Sequence, residues 1–211
     1  MSKAIALILT VLVGAAVLAE NAGLARAQQT VRIDPAIVDA AVRATFKGAS
    51  AEWQARIEPD VAQRLCSQIP LKLTPADEKA LTDDAGKSIV YPGDGNVIGD
   101  WKKGQQLAQR GTGGQFSDKP DGPIGGNCYA CHQLSPKELS FGTMGPTLLE
   151  YGKIRKFKPE EAKTAYAKIY NAQAVQACSN MPRFGHNKFL SVEQIKDLTA
   201  YLFDPESPVN K

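Results

Sequence analysis

The chain has 211 residues, with 25 Lys and Arg against 22 Asp and Glu, for a formal net charge of +3. So balanced a chain lacks the basic footprint of a nucleic-acid binder. Its 43% hydrophobic content suits a packed core and excludes a wholly disordered chain.

The N-terminus reads as an export signal. Lys3 precedes an uncharged, mostly apolar stretch over residues 4–19, and Ala25-Arg26-Ala27 is an A-x-A cleavage site. The apolar stretch is shorter than the ~20 residues of a spanning helix, and Glu20 ends it. Residues 1–27 are therefore expected to be a cleaved signal peptide rather than a permanent anchor. No later segment is apolar enough to span a bilayer. An exported, periplasmic compartment also permits disulfides.

Residues 28–99 are expected to be a helical N-terminal extension. Asp34-Pro35 opens a segment with Ile37, Val38, Ala41 and Val42 at helical spacing. Ala51–Ile57 and Pro59–Ser67 predict two shorter helices. Thr74-Pro75 starts another, with Thr as N-cap and Pro in the first helical position. Tyr91-Pro92-Gly93-Asp94-Gly95 is a turn cluster, and a second domain is expected over residues 100–211.

That domain opens with a helix over Asp100–Arg110, stopped by Gly111. Gly104 in its middle costs about 1 kcal/mol relative to Ala, a cost that a close helix crossing would explain. Residues 111–126 are rich in Gly and read as a loop. Their glycines lack the G-K-[ST] ending of a phosphate cradle.

Next comes Cys128-Tyr129-Ala130-Cys131-His132, a C-x-x-C-H run. This is the attachment signature of c-type haem. Two thiols at this spacing can form thioether bonds to the two vinyl groups of one haem. The histidine after them supplies a neutral imidazole to the iron. One covalently bound haem c is expected. A C-x-x-C alone would also suit half a zinc site or a redox dithiol. The zinc reading needs more ligands, and the remaining candidates, Cys66, Cys178 and His186, are scattered.

Beyond the motif, Pro159–Gln173 predicts a helix with Ala162, Ala165, Tyr166, Ile169 and Tyr170 on one side. Ser191 and Gln194 form a capping box for a last helix, whose inner face is Ile195, Leu198, Thr199 and Leu202 and which Asp204-Pro205 ends. No alternating run long enough for a sheet stands out. The fold is expected to be all-α and resembles a class I cytochrome c, in which the first and last helices cross beside the haem. Gly104 and Ala200-Tyr201-Leu202 are the positions expected at that crossing.

Three residues are candidates for the second axial ligand: Met181, Met144 and His186. Met181 lies in a loop between two helices, stiffened by Pro182. Met144 lies shortly after His132, beside Gly145-Pro146. In class I cytochromes the Gly-Pro segment is on the His side. The resemblance therefore implies that the Pro146 carbonyl accepts the His132 Nδ1 proton, and it puts Met144 on the wrong face. Met181 is the expected ligand. His/Met ligation raises the potential and leaves no vacant iron site, which favours electron transfer over chemistry at the haem.

Two of the 4 cysteines are used by haem. Cys66 and Cys178 remain and are expected to form a disulfide. Two free thiols, or a bridge to a partner, are the alternatives.

A finer resemblance rests on longer motifs. These are Tyr151-Gly152-x-x-Arg155, Ile169-Tyr170-Asn171, Cys178-Ser179-x-Met181-Pro182-Arg183-Phe184-Gly185, Gln194-Ile195-x-Asp197 and the run from Ala200 to Asn210 with its Asp204-Pro205-x-Ser207-Pro208-Val209-Asn210 ending. Over about Trp101 to Asn210 the chain resembles SoxX, the monohaem cytochrome subunits of bacterial sulfur oxidation. His186-Asn187-Lys188 departs from the smaller residues expected there. The resemblance implies a heterodimer with a SoxA-like haem subunit, acting as an L-cysteine S-thiosulfotransferase. Thiosulfate is joined oxidatively to a cysteine of a SoxYZ-like carrier. This chain would carry the electrons to a soluble cytochrome c, with no substrate-converting site of its own.

A free-standing electron carrier for an oxidase or reductase is the alternative. A haem peroxidase or sensor would need an open sixth site. Arg183, beside Met181, is expected at the haem edge or at a partner interface. The basic run Lys153, Arg155, Lys156 and Lys158 is either a partner-steering surface or a solvated helix entrance.

Overall fold

The computed structural model describes residues 33–68, 71–114, 118–119 and 122–211. The export signal read over residues 1–27 lies outside the described residues. Among the described residues the secondary structure is helical, with no strand, as an all-α class I cytochrome c-like fold requires. No described helix is long and apolar enough to cross a membrane. The chain divides into two compact units between Glu58 and Pro59.

In the first unit, α1 (Pro35–Thr45) is capped by Asp34, whose carboxylate accepts the Ala36 N–H, with Pro35 in the first turn. α2 (Ala51–Ile57) comes next. The Gln54 side-chain amide donates to the Phe46 carbonyl at 2.6 Å, and Arg43 pairs with Glu58 at 2.6 Å. Both contacts are exposed, so they contribute little to stability.

The second unit begins with α3 (Val61–Cys66) and α4 (Pro75–Lys87). Each starts with a capping box, Asp60 with Gln63 and Thr74 with Asp77, which satisfies two orphan N–H groups reciprocally. α5 (Trp101–Gln109) is capped by Asp100. α6 (Tyr151–Ile154) is a single turn, α7 (Pro159–Tyr170) is longer, and α8 (Val192–Phe203) closes the helical core.

α5 and α8 form the main helix pair. A Cβ on Gly104 would collide with the Asp197 carbonyl oxygen and lie 2.9 Å from Tyr201 Cβ. Only glycine lets the two backbones approach so closely, which accounts for its place in a helix interior. The Asp197 carboxylate accepts the Asp100 N–H at 2.8 Å, and the Lys196 carbonyl accepts the Gly99 N–H at 3.1 Å. The start of α5 is thereby tied to the first half of α8. Ile195, Leu198 and Tyr201 are buried at this pair. Burying each such side chain contributes roughly 1.5–3 kcal/mol.

Residues 59–99 belong to the same compact unit as residues 100–211. The Tyr166 hydroxyl donates to the Val90 carbonyl at 2.8 Å, and the Asn171 side-chain amide donates to Ser88 Oγ at 2.9 Å. Tyr91 stacks on Tyr166 at 5.5 Å between ring centroids, and Tyr166 on Tyr170 at 6.2 Å. Asn171 also ends α7. Its backbone leaves the helical region at φ −147°, its side chain accepts the Gln173 N–H, and a short 3₁₀ turn over Ala172–Ala174 comes after it. The continuous helix to Gln173 expected from the periodicity is thus broken by an Asx-type contact.

The C-terminus is a latch. Asn210 Oδ1 accepts the N–H groups of Gly152 and Lys153, at 3.0 and 3.2 Å. Its Nδ2 donates to the carbonyls of Leu202 and Asp204, at 3.1 and 2.9 Å. Ser207 Oγ donates to the Tyr201 carbonyl at 2.5 Å. One buried amide therefore joins the end of α8 to the start of α6.

Candidate functional site

The C-x-x-C-H run sits on a 3₁₀ turn, Cys128–Ala130. Side chains three apart eclipse on such a turn, so Cys128 and Cys131 project to one side. The Cys131 and His132 N–H groups both donate to the Cys128 carbonyl, at 3.1 and 2.9 Å. Asn127, just before the turn, is left-handed at φ 47°, a conformation Asn tolerates. The Gly126 N–H donates to the Leu107 carbonyl and the Asn127 N–H to the Arg110 carbonyl, hanging the turn from the end of α5.

Neither thiol is in a disulfide. Burial pushes the Cys128 thiol up to about 12, with the Cys131 thiol adding to the rise and a backbone hydrogen bond opposing it. A group held as a neutral thiol there is not a thiolate nucleophile at neutral pH.

His132 Nδ1 lies 2.7 Å from the Pro146 carbonyl oxygen. A carbonyl only accepts, so Nδ1 carries a proton, and in the neutral tautomer it is Nε2 that keeps the lone pair. The Gly145 N–H donates to the Cys131 carbonyl at 2.8 Å, which brings the Gly-Pro segment against the ring. A Cβ on Gly145 would come within 2.5 Å of Nδ1 and 2.7 Å of Nε2. Glycine at 145 therefore gives the imidazole edge its room.

Met181 is half-buried and packs against the same core as Cys128. Met144 is 79% exposed. The Met181 loop is folded onto α7, where the Tyr170 carbonyl accepts the Gly185 and His186 N–H groups at 2.9 and 3.1 Å. His186 is exposed; partial burial and then the Arg183 charge lower its pKa, while Asp60 and Asp84 oppose that fall. Arg183 Nη1 pairs with Asp60 Oδ2 at 2.6 Å, a contact that sequence reading did not pair.

Cys66 and Cys178 are joined in a disulfide, with Cα atoms 5.3 Å apart. That removes two of the further ligands a zinc site would need. Cys178 adopts φ 54°, left-handed for a non-glycine residue.

The basic run over residues 153–158 is partly neutralised by its own neighbours. Lys153 pairs with Glu150 at 2.6 Å, Arg155 with Glu161 at 3.5 Å, and Lys158 with Glu160 at 3.9 Å. Arg155 also lies over the Tyr151 ring at 3.5 Å. The run is mostly a solvated, internally paired helix entrance.

The donor set fits a covalent haem. Two unbonded thiols share one side of a turn, with an imidazole that has a free Nε2 next in the chain. Nearby, the buried Tyr201 hydroxyl and Glu138 Oε1 have no hydrogen-bond partner among the described residues. Burial raises the Tyr201 pKa to about 12, and Glu138 and Cys128 add to the rise. An orphaned buried donor beside Cys128 suits a neighbouring group with acceptors of its own.

Sequence comparison agrees. Residues 101–204 match the Cytochrome c family. A protein of Aquifex aeolicus (strain VF5), named an uncharacterized lipoprotein, is 41% identical over 155 residues, which are 72% of this chain and 73% of that protein. With the helical fold and the C-x-x-C-H turn inside the matched segment, residues 101–204 are a domain of the cytochrome c family, electron-transfer proteins that bind haem c covalently.

Proposed function

We propose that this chain is the monohaem electron-transfer subunit of a SoxAX-like L-cysteine S-thiosulfotransferase, exported to the periplasm. Cys128 and Cys131 would hold one haem through thioether bonds, with His132 and Met181 on the iron and Pro146 and Arg183 in the surrounding shell. When bound, the haem supplies a one-electron ferric/ferrous couple. The chain's own residues set its conditions. Pro146 orients His132 and leaves Nε2 as the ligand atom, and Gly145 gives the ring edge room. The Cys66–Cys178 disulfide holds the Met181 loop.

The assembly's reaction joins thiosulfate to a SoxYZ-like carrier thiol. A sulfur–sulfur bond forms, the thiol proton is released, and two electrons leave. The SoxA-like partner would host that chemistry, and this chain would deliver the electrons one at a time to a soluble cytochrome c. The carrying observation is the run from Cys178 to Gly185 together with the Asp204-to-Asn210 ending, which are longer and more specific than C-x-x-C-H. Export is supported by the Ala25-Arg26-Ala27 site and by the name of the Aquifex relative, a lipoprotein.

Co-expression with the candidate partner tests the reading. The expected result is a heterodimer that conjugates thiosulfate to the carrier and reduces cytochrome c, while this chain alone conjugates nothing. A stable monomer that serves an oxidase or reductase without any partner would support the free-standing carrier instead. Full activity of the partner with a haem-less version of this chain would overturn the relay role.

A further inference from the structure

Met181 is fastened on both sides to one short helix. Cys178, before it, is bonded to Cys66, the last residue of α3. Arg183, after it, pairs with Asp60, the N-cap of α3, at 2.6 Å. The six-residue helix between them is about 9 Å long. Two ties at opposite ends of a rigid element fix both the position and the direction of the loop, which one tie cannot do.

α3 is itself well held for so short a helix. Asp60 Oδ1 accepts the Gln63 N–H at 2.8 Å, and the Gln63 side chain accepts the Asp60 N–H at 2.8 Å. The Asp60 carboxylate thus caps α3 with one oxygen and holds Arg183 with the other. The Arg183 side chain is only 12% exposed. An ion pair with one nearly dry partner constrains geometry more than an exposed pair does. Cys178 sits at φ 54°, a costly region for a residue with a Cβ, which persists only where surrounding ties determine it. None of α3 lies within residues 101–204, the segment shared with the cytochrome c family.

We infer that α3 is a splint for the axial methionine, with Asp60 and Cys66 as positioning residues that set how readily Met181 leaves the iron. The inference rests on Met181 being the ligand, as proposed above. A splinted loop disfavours the methionine-off state, and an external ligand binds only that state. Its apparent affinity is therefore lowered by the small population of the open form. A merely stabilising role for α3 would leave that affinity unchanged.

The test is imidazole titration of the oxidised, haem-loaded full chain, read from its visible spectrum. Asp60→Ala and the double variant Cys66→Ala/Cys178→Ala are each expected to bind imidazole more tightly, by roughly fivefold to a hundredfold. Asp60→Glu, which keeps the carboxylate, is expected to recover most of the wild-type value. Amide hydrogen exchange over residues 176–185 of the haem-loaded full chain should quicken in Asp60→Ala at neutral pH. Asp60→Ala keeps the disulfide, so it serves if the double variant does not fold. Wild-type imidazole affinity in Asp60→Ala, alongside much tighter binding in Met181→Ala, overturns the splint and leaves the ligand assignment standing. Unchanged affinity in Met181→Ala overturns the assignment, and the splint with it.

Discussion

The Arg183 guanidinium and the Asp60 carboxylate meet at 2.6 Å across 123 residues of sequence. Partial burial pushes the Asp60 pKa up, but the Gln63 N–H and Arg183 outweigh it, and the carboxyl ends below its usual 3.8. A carboxyl with a lowered folded-state pKa contributes stability above its unfolded value, and loses it as pH falls through the folded value. The pair is therefore intact at neutral pH and fails only below pH 3.8. Protection of the Met181-loop amides, taken relative to intrinsic exchange at each pH, should fall below that point in the wild type. Asp60→Asn should show low protection at every pH. A loop that loosens in the wild type near pH 6 would mean another group controls it.

The helix crossing makes a prediction of opposite sign to helix propensity. Alanine at 104 is favoured over glycine by about 1 kcal/mol in an exposed helix. Here its Cβ meets a backbone carbonyl, and such overpacking costs about 3 kcal/mol. Gly104→Ala should destabilise the holoprotein by about 2 kcal/mol in denaturant melts. A stabilised variant would show that the crossing is looser than described.

The latch is equally specific. Asn210→Ala removes four hydrogen bonds and strands two N–H groups and two carbonyls. Leaving such buried groups unpaired costs roughly 2–3 kcal/mol. Asn210→Asp keeps the acceptor but loses the donor, and should fall between wild type and alanine. Equal melting of all three forms would contradict the latch.

These features differ in how far sequence alone reveals them. The N-cap at Thr74 and the capping box at Ser191 were legible because a hydroxyl and an N–H three residues away determine them, whereas the return contact from Asp77 that makes Thr74 a full capping box was not read. Gly104 was legible because a glycine inside a helix needs a reason. The thiols of Cys128 and Cys131 were legible because the spacing itself is the chemistry. The Asp60–Arg183 pair was not, since no local pattern ties a helix cap to a loop in a distant segment. The Ser88 and Val90 contacts to α7 were hidden for the same reason, so the expected Cys66–Cys178 disulfide was the one sequence signal that attached residues 59–99 to residues 100–211. Asn171 looked helical by period, and only its side-chain contacts to Ser88 and Gln173 end the helix there. The Asn210 ending was read as a family mark, and its hydrogen bonds supply a physical reason for it.

Covalent attachment has its own check. Acid–acetone extraction should leave one haem on each chain, and Cys128→Ala/Cys131→Ala should release it. Loss of haem from the wild type, or two haems per chain, would contradict the proposed site.

The central claim is a closed haem held by His132 and Met181. Its most direct measurement is the ferric spectrum and midpoint potential of the purified holoprotein beside Met181→Ala and Met144→Ala. Met181→Ala should lose the methionine-to-iron charge-transfer band and lower the potential, on a scale where axial ligand choice spans roughly 0.8 V. Met144→Ala should match the wild type. A band that survives in Met181→Ala, or that disappears in Met144→Ala, would contradict the account.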